Sequence, residues 1–145
     1  MRQVISLPVT GAIPQGRDGF LLSFSVPNEH RDSFCFKPGQ YLTLRGGQEE
    51  AVWRCYSITS APQRQEGISV LVKRVPGGKL SNWLCDHAKV GLSIEVLPPA
   101  GSFLLARPDH PVLLYAGGSG IAPIYALARQ ALEQGSARIR LFYAN

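Results

Sequence analysis

The sequence predicts a mainly β chain: a six-stranded antiparallel barrel with one helix, followed by the truncated β-α-β start of a parallel sheet. Short segments that alternate apolar and polar residues, with turn signals between them, read as half-buried strands. Gly and Pro supply 15 and 11 of the 145 residues, which favours many turns over a helical bundle. After Pro108 the pattern changes to a continuous apolar run, a glycine turn and an amphipathic stretch.

The first strand is expected near residues 4–12. In residues 20–26, Phe20, Leu22, Phe24 and Val26 alternate with Leu21, Ser23 and Ser25 until Pro27 ends the strand. Lys37, Pro38, Gly39 and Gln40 make a turn into a strand at 41–45, and Gly46 and Gly47 turn the chain toward another at 51–59. A loop over 62–67 precedes a fifth strand at 68–73, and the sixth is expected near 92–97. Pro76, Gly77 and Gly78 lead into a helix over 79–87, where Leu80, Trp83 and Leu84 form one apolar stripe. Trp83 reads as core filling. Short strands at this spacing suggest a closed antiparallel barrel.

Past Pro108, residues 112–115 read as a strand buried on both faces. A helix over 121–134 follows, with Ile121, Ile124, Tyr125, Ala128, Ala131 and Leu132 on one face and Gly135 as its stop. Residues 138–144 then alternate as a second strand. This is the opening of a parallel nucleotide-binding fold. The expected division is a barrel domain over 1–107 and an incomplete α/β domain over 108–145. Two parallel strands and one helix cannot cover both faces of a sheet. The chain is therefore expected to be a fragment of a longer polypeptide, or to be completed by another chain.

Composition narrows the class. With 45% hydrophobic and 17% charged residues the chain is an ordinary globular protein rather than a disordered one. No apolar run approaches the roughly 18 residues of a membrane span, and the start of the chain, broken by Pro8, Gly11 and Pro14, lacks a signal-peptide core. A cytoplasmic location is expected. Cys35, Cys55 and Cys85 have no C-x-x-C spacing and read as reduced, mostly buried residues rather than metal ligands. His30, His87 and His110 share no ligand spacing and read as surface or loop residues. The net charge of +5 is locally concentrated: between Glu66 and Asp86 lie Lys73, Arg74 and Lys79 with no acid. Such a patch fits one small anionic ligand or an acidic partner protein better than a nucleic acid, and a plain solvated face is the alternative.

Three groups of residues carry chemistry. On a strand Arg54 and Tyr56 share a face. The arginine fork matches phosphate oxygens, the tyrosine offers a ring and a hydroxyl, and Ser57 can hydrogen-bond a ring nitrogen. Together they suit a flavin nucleotide; a surface arginine, a core tyrosine and a turn serine are the plain alternative. Gly77, Gly78, Lys79, Leu80 and Ser81 place glycines, a cation and a hydroxyl at a helix start, which suits phosphate or serves simply as a cap. Gly118-x-Gly120-x-x-Pro123 approximates a dinucleotide fingerprint, with proline in the last position, and it follows an apolar strand and opens a helix. A flavin site followed by a nicotinamide site reads as a device for passing hydride to a flavin.

Taken in series, Arg54-x-Tyr56-Ser57, Val72-Lys73, the Gly77 to Ser81 run and the Gly117 to Pro123 run resemble the ferredoxin–NADP reductase family of flavoproteins. The stretches at 36–42 and 97–103 add to the likeness. Residues 73–83 are most similar to reductase components of bacterial oxygenases of the phenylacetyl-CoA type. The resemblance covers essentially the whole chain and implies an FAD-binding barrel followed by an NAD(P)-binding domain. It implies Arg54 on the flavin pyrophosphate, Tyr56 against the flavin and ribityl chain, and Ser57, the catalytic position, near the reactive ring nitrogen. Leu71 and Lys73 would line the cofactor, and Gly78, Lys79, Leu80 and Ser81 would hold phosphates. Gly117, Gly118, Ser119 and Gly120 would border NAD(P)H as substrate, and Cys55 would contribute backbone only. The implied activity is hydride transfer from NAD(P)H to FAD, then single-electron transfer to an iron–sulfur or haem acceptor on a redox partner protein or oxygenase component. An iron–sulfur cluster of the protein's own would need a further C-terminal domain, whose cysteine run is absent here. The side chain that reads the ribose 2′ position is expected after the second parallel strand, so NADH and NADPH both remain open. Two other functions stand beside this one: a non-catalytic flavin-binding electron-transfer or assembly subunit, and a reductase of free flavin.

Overall fold

The computed structural model describes residues 3–47, 50–62, 67–135 and 138–145. Most of the predicted 62–67 loop, residues 63–66, lies outside the described residues. Six strands form one antiparallel sheet: β1 (Ile5–Gln15), β2 (Gly19–Phe24), β3 (Tyr41–Gly46), β4 (Val52–Ser57), β5 (Ile68–Lys73) and β6 (Ser93–Ala100). Their spatial order is β4-β3-β6-β1-β2-β5. Alternation selects the inward residues: Ile5, Leu7 and Val9 from β1, Leu22 and Phe24 from β2, Leu42 and Leu44 from β3, Ile68, Val70 and Val72 from β5, and Ile94 and Val96 from β6 form one core. Leu80 and Leu84 of α1 (Lys79–His87) complete it, with Trp83 packed at its margin.

β1 runs on past its expected end. After a bulge between Val9 and Gly11 it continues as a hairpin with β2, pairing Pro14 with Phe20 and Gln15 with Gly19. A second irregularity, between Tyr41 and Thr43 of β3, falls where β6 carries Pro98 and Pro99. Prolines lack the N–H a ladder needs, so the register gives way there. Two 3₁₀ turns, Asn28–His30 and Asp32–Phe34, were not anticipated; the second inserts Phe34 into the core, 3% exposed.

The expected barrel closure is only partial. The edge strands β4 and β5 meet at a single antiparallel bridge, Ile58 to Val70, backed by a 2.8 Å bond from Thr59 N–H to Ser69 O. Along the rest of their length they are not laddered, and a seam stays open between them.

Beyond β6, β7 (Val112–Gly117) and β8 (Ile139–Ala144) pair in parallel, with α2 (Ile121–Glu133) as the crossover. Here three expectations need correcting. Of β7 only Leu114 is buried; Leu113 and Tyr115 are exposed, because no layer of the described residues covers that face. The inward residues of α2 are Ala122, Ile124, Ala126, Leu127 and Ala131, while Tyr125 and Leu132 face out. The inward face thus mixes alanines with Ile124 and Leu127, and Tyr125 and Leu132, which a hydrophobicity pattern weighs heavily, stand away. The cysteines are not buried: Cys35 and Cys55 are exposed and Cys85 is intermediate. Among the described residues no group of His, Cys, Asp or Glu could hold a metal ion, and no helix is long and apolar enough to cross a membrane.

Candidate functional site

The open seam between β4 and β5 is where the functional residues converge. The β3–β4 register sets Tyr56 opposite Leu42 and Arg54 opposite Leu44, both core leucines. In a closed barrel this face would be sealed. Because β4 is a sheet edge, Arg54 is exposed and Tyr56 only half-buried. β4 ends at Ser57, and the chain crosses to β5 at the buried Ile58. The open edge of β4 lets residues of both strand faces, Cys55 and Ser57 as well as Arg54 and Tyr56, border the same space.

A cavity of about 510 Å³ follows the seam. Arg54, Tyr56 and Ser57 form one wall, Leu71 and Lys73 of β5 a second, and Gly78, Lys79, Leu80 and Ser81 at the start of α1 a third. Ser119 and Ala122 reach it from the β7–α2 side. Gly117, Gly118 and Gly120 do not line it. Gly117 borders a separate shallow groove with Tyr115 and Phe142, whose rings stack 5.0 Å apart. The Gly118 carbonyl accepts a 3.2 Å bond from the Tyr143 hydroxyl.

The start of α1 is built for close approach. Gly77 has φ +70°, a left-handed conformation that a side chain would strain. Gly78 has an ordinary φ of −70°, yet a Cβ there would lie 2.3 Å from Ser81 Oγ and 3.0 Å from Val75 O. Only glycine leaves that backbone bare. Leu80 is 1% exposed and belongs to the core, so it can offer a ligand only its main-chain N–H. Ser81 is nearly buried at 7% exposure, its hydroxyl turned toward Gly78.

Three cations flank the cavity, and two already have partners. Lys79 Nζ lies 3.1 Å from Glu50 Oε2. Arg54 Nη1 donates to the Trp53 carbonyl at 2.8 Å, which steadies the guanidinium and leaves its remaining N–H groups available. Lys73 is exposed at the mouth. Beyond the cavity, Arg74 binds Asp86 at 2.5 Å and pins the last turn of α1 to the exit of β5. This bond, first, and the positive charge of Arg74 hold the Asp86 carboxyl below its ordinary range, against some desolvation.

Tyr56 has a strongly displaced pKa. Burial first, then the nearby Cys85, push its phenol from 10 up to about 12, while Arg54 pulls the other way. The phenol therefore stays a neutral donor across the physiological range. The folded state holds this proton more tightly than the unfolded one. Its contribution to stability is complete below pH 10 and is lost as pH rises through about 12. An alkaline absorbance titration should find a tyrosine ionising near pH 12, and Tyr56→Phe should remove that late step. A late step that survives in Tyr56→Phe would reassign it.

A family model described as oxidoreductase FAD-binding domain matches residues 7–104. The chain is 44% identical over 146 residues to the ferredoxin reductase component of 3-ketosteroid-9-alpha-monooxygenase from Rhodococcus rhodochrous, covering 99% of this chain and 41% of that protein. It is 36% identical over 115 residues to the electron transfer component of toluate 1,2-dioxygenase from Pseudomonas putida, covering 79% and 33%. Among solved structures, phthalate dioxygenase reductase superposes with a TM-score of 0.81 at 27% identity, over 97% of this chain and 43% of that one. The chain thus spans well under half the length of these relatives.

Proposed function

We propose that this chain, which belongs to the oxidoreductase FAD-binding domain family, is the flavin-holding part of an NAD(P)H-dependent reductase that serves an oxygenase. The observation that carries this is the seam cavity, where an arginine, a half-buried tyrosine, a serine and a glycine-opened helix start share one space of about 510 Å³.

The residues suit FAD. The volume is that of a small-molecule site. A guanidinium, the Lys79 ammonium and bare N–H groups at the start of α1 are what a diphosphate requires, and Gly78, where a Cβ would crowd Ser81 Oγ, keeps that helix start bare. When bound, the flavin supplies the redox chemistry, accepting a hydride from a nicotinamide and releasing electrons singly.

The remaining tasks fall to the chain. Arg54 holds the pyrophosphate, with Lys79 and the N–H groups of Leu80 and Ser81 supporting it from α1. Lys79 must share its charge between this ligand and Glu50. Tyr56 presents a ring edge and a permanently protonated phenol. Ser57, the catalytic position, presents a hydroxyl toward the reactive ring nitrogen. Leu71 and Lys73 bound the ring, and Ser119 of the Gly117–Gly120 turn faces it from the nicotinamide side. Residues 1–107 then form the flavin-binding domain and 108–145 the opening of the nicotinamide-nucleotide domain, in a cytoplasmic protein. A redox partner protein or oxygenase component takes the electrons, as the names of the relatives suggest.

Anaerobic stopped-flow mixing of the full-length protein with NADH and with NADPH tests this. Loss of the flavin absorption band with at least one nucleotide is expected. A bound flavin that neither nucleotide bleaches would instead favour a non-catalytic flavin module.

A further inference from the structure

The turn at Lys37, Pro38, Gly39 and Gln40 contributes nothing to the seam cavity, yet three parts of the chain meet on it. The Gln40 side chain accepts from Lys37 N–H at 2.9 Å and donates to the Gly101 carbonyl at 3.1 Å. Its main-chain oxygen accepts from Ile58 N–H at 2.9 Å, one residue past Ser57. Gly39 is buried, with φ +95°; a Cβ there would sit 1.9 Å from Phe103 O and 3.1 Å from Leu127 Cδ2. Leu127 of α2, itself 2% exposed, therefore packs directly over bare backbone. Ala126 and Pro38 line a narrow crevice beside it.

Toward its N-terminus, α2 faces the barrel across open space. Ala122 borders both the seam cavity and a second cavity of about 470 Å³, which Tyr125 and Arg129 also line. On its barrel-facing side the helix is thus supported at the turn and borders these voids, while it also packs against β7 and β8. Leu127 lies seven residues beyond Gly120, about 10 Å along the helix. A tilt about that support moves the Gly117–Gly120 turn relative to Ser57.

We infer that the Pro38–Gln40 turn is the bearing that sets the distance between the nicotinamide-side glycine turn and the end of β4, and that Gln40 is a positioning residue for hydride transfer. The inference rests on the function proposed above. It predicts an effect on rate without an effect on flavin binding, because Gln40 lies outside the flavin cavity. A misplacement of the reacting atoms by about 1 Å can cost on the order of a hundredfold in rate.

The test uses the full-length protein and two variants that reach the bearing from opposite sides, Gln40→Met and Leu127→Ala. Flavin content, the limiting rate of flavin reduction, the half-saturating nucleotide concentration and amide hydrogen exchange are measured. Both variants should keep wild-type flavin content and half-saturation, and lose about tenfold or more in limiting rate. Exchange should rise in α2 and in residues 101–103 while β2 and β5 stay protected. Wild-type limiting rates, or a rate loss that merely tracks lost flavin, would overturn the inference. If the wild-type protein is itself not reduced by either nucleotide, the proposed function fails, and exchange alone judges the bearing. Unchanged protection of α2 in Gln40→Met would then rule it out.

Discussion

Arg54→Ala is expected to weaken FAD binding by about 1.5–3 kcal/mol, roughly ten- to a hundredfold in Kd. The guanidinium stands on the open edge of the barrel, steadied by its 2.8 Å bond to the Trp53 carbonyl. Its other N–H groups can therefore form charge-assisted bonds to phosphate with little further ordering. Arg54→Lys should recover only part of the loss, because an ammonium keeps the charge but not the planar fork. Calorimetric titration of the flavin-free full-length protein measures both variants. An unchanged Kd in Arg54→Ala would remove Arg54 from the site.

Gly39→Ala should lower the unfolding free energy by roughly 3 kcal/mol, a large share of the about 5–15 kcal/mol that holds a domain folded. Two causes add. Alanine at φ +95° costs on the order of 1–3 kcal/mol in backbone strain. The new methyl would also fall 1.9 Å from Phe103 O, so the chain leaving β6 must shift. Gly91→Ala separates the causes, since Gly91 has φ +92° and nothing within 4 Å of an added Cβ. Urea unfolding should show the strain alone in Gly91→Ala, about 1 kcal/mol, and the larger loss in Gly39→Ala. Equal losses would mean that the close packing at Gly39 contributes nothing.

Periodicity was most readable where packing is regular. β5 and α1 lie at the residues their patterns indicate, because the alternation in 68–73 and the i, i+3, i+4 stripe of Leu80, Trp83 and Leu84 meet one continuous core. The 3₁₀ turn bearing Phe34 has no repeat to betray it. The face of α2 departs from its pattern for a related reason: hydrophobicity weighs Tyr125 and Leu132 heavily, whereas the residues that turn inward include Ala122, Ala126 and Leu127, the last of them over the bare backbone of Gly39. β7 reads as a doubly buried strand because its composition suits layers that the described residues do not supply. Cys55 misleads because a small apolar residue fits an exposed strand edge as readily as a core.

The residues around the candidate site were legible as types; their meeting place was not. Strand alternation pairs Arg54 with Tyr56 but leaves Ser57 on the other face, and they share the cavity because it follows the open edge of β4, which Cys55 also borders. Nor could a pattern of short strands show that β4 and β5 part, and that parting is what opens the cavity. The Gly117–Gly120 turn follows the fingerprint in sequence, but only Ser119 reaches the shared space.

The central claim, that this seam holds FAD, is tested most directly by the visible spectrum of the purified full-length protein and the mass of the ligand released on heating. A flavin spectrum with the mass of FAD, weakened in Arg54→Ala, is the predicted result. A colourless protein that takes up no flavin when FAD is added would contradict it.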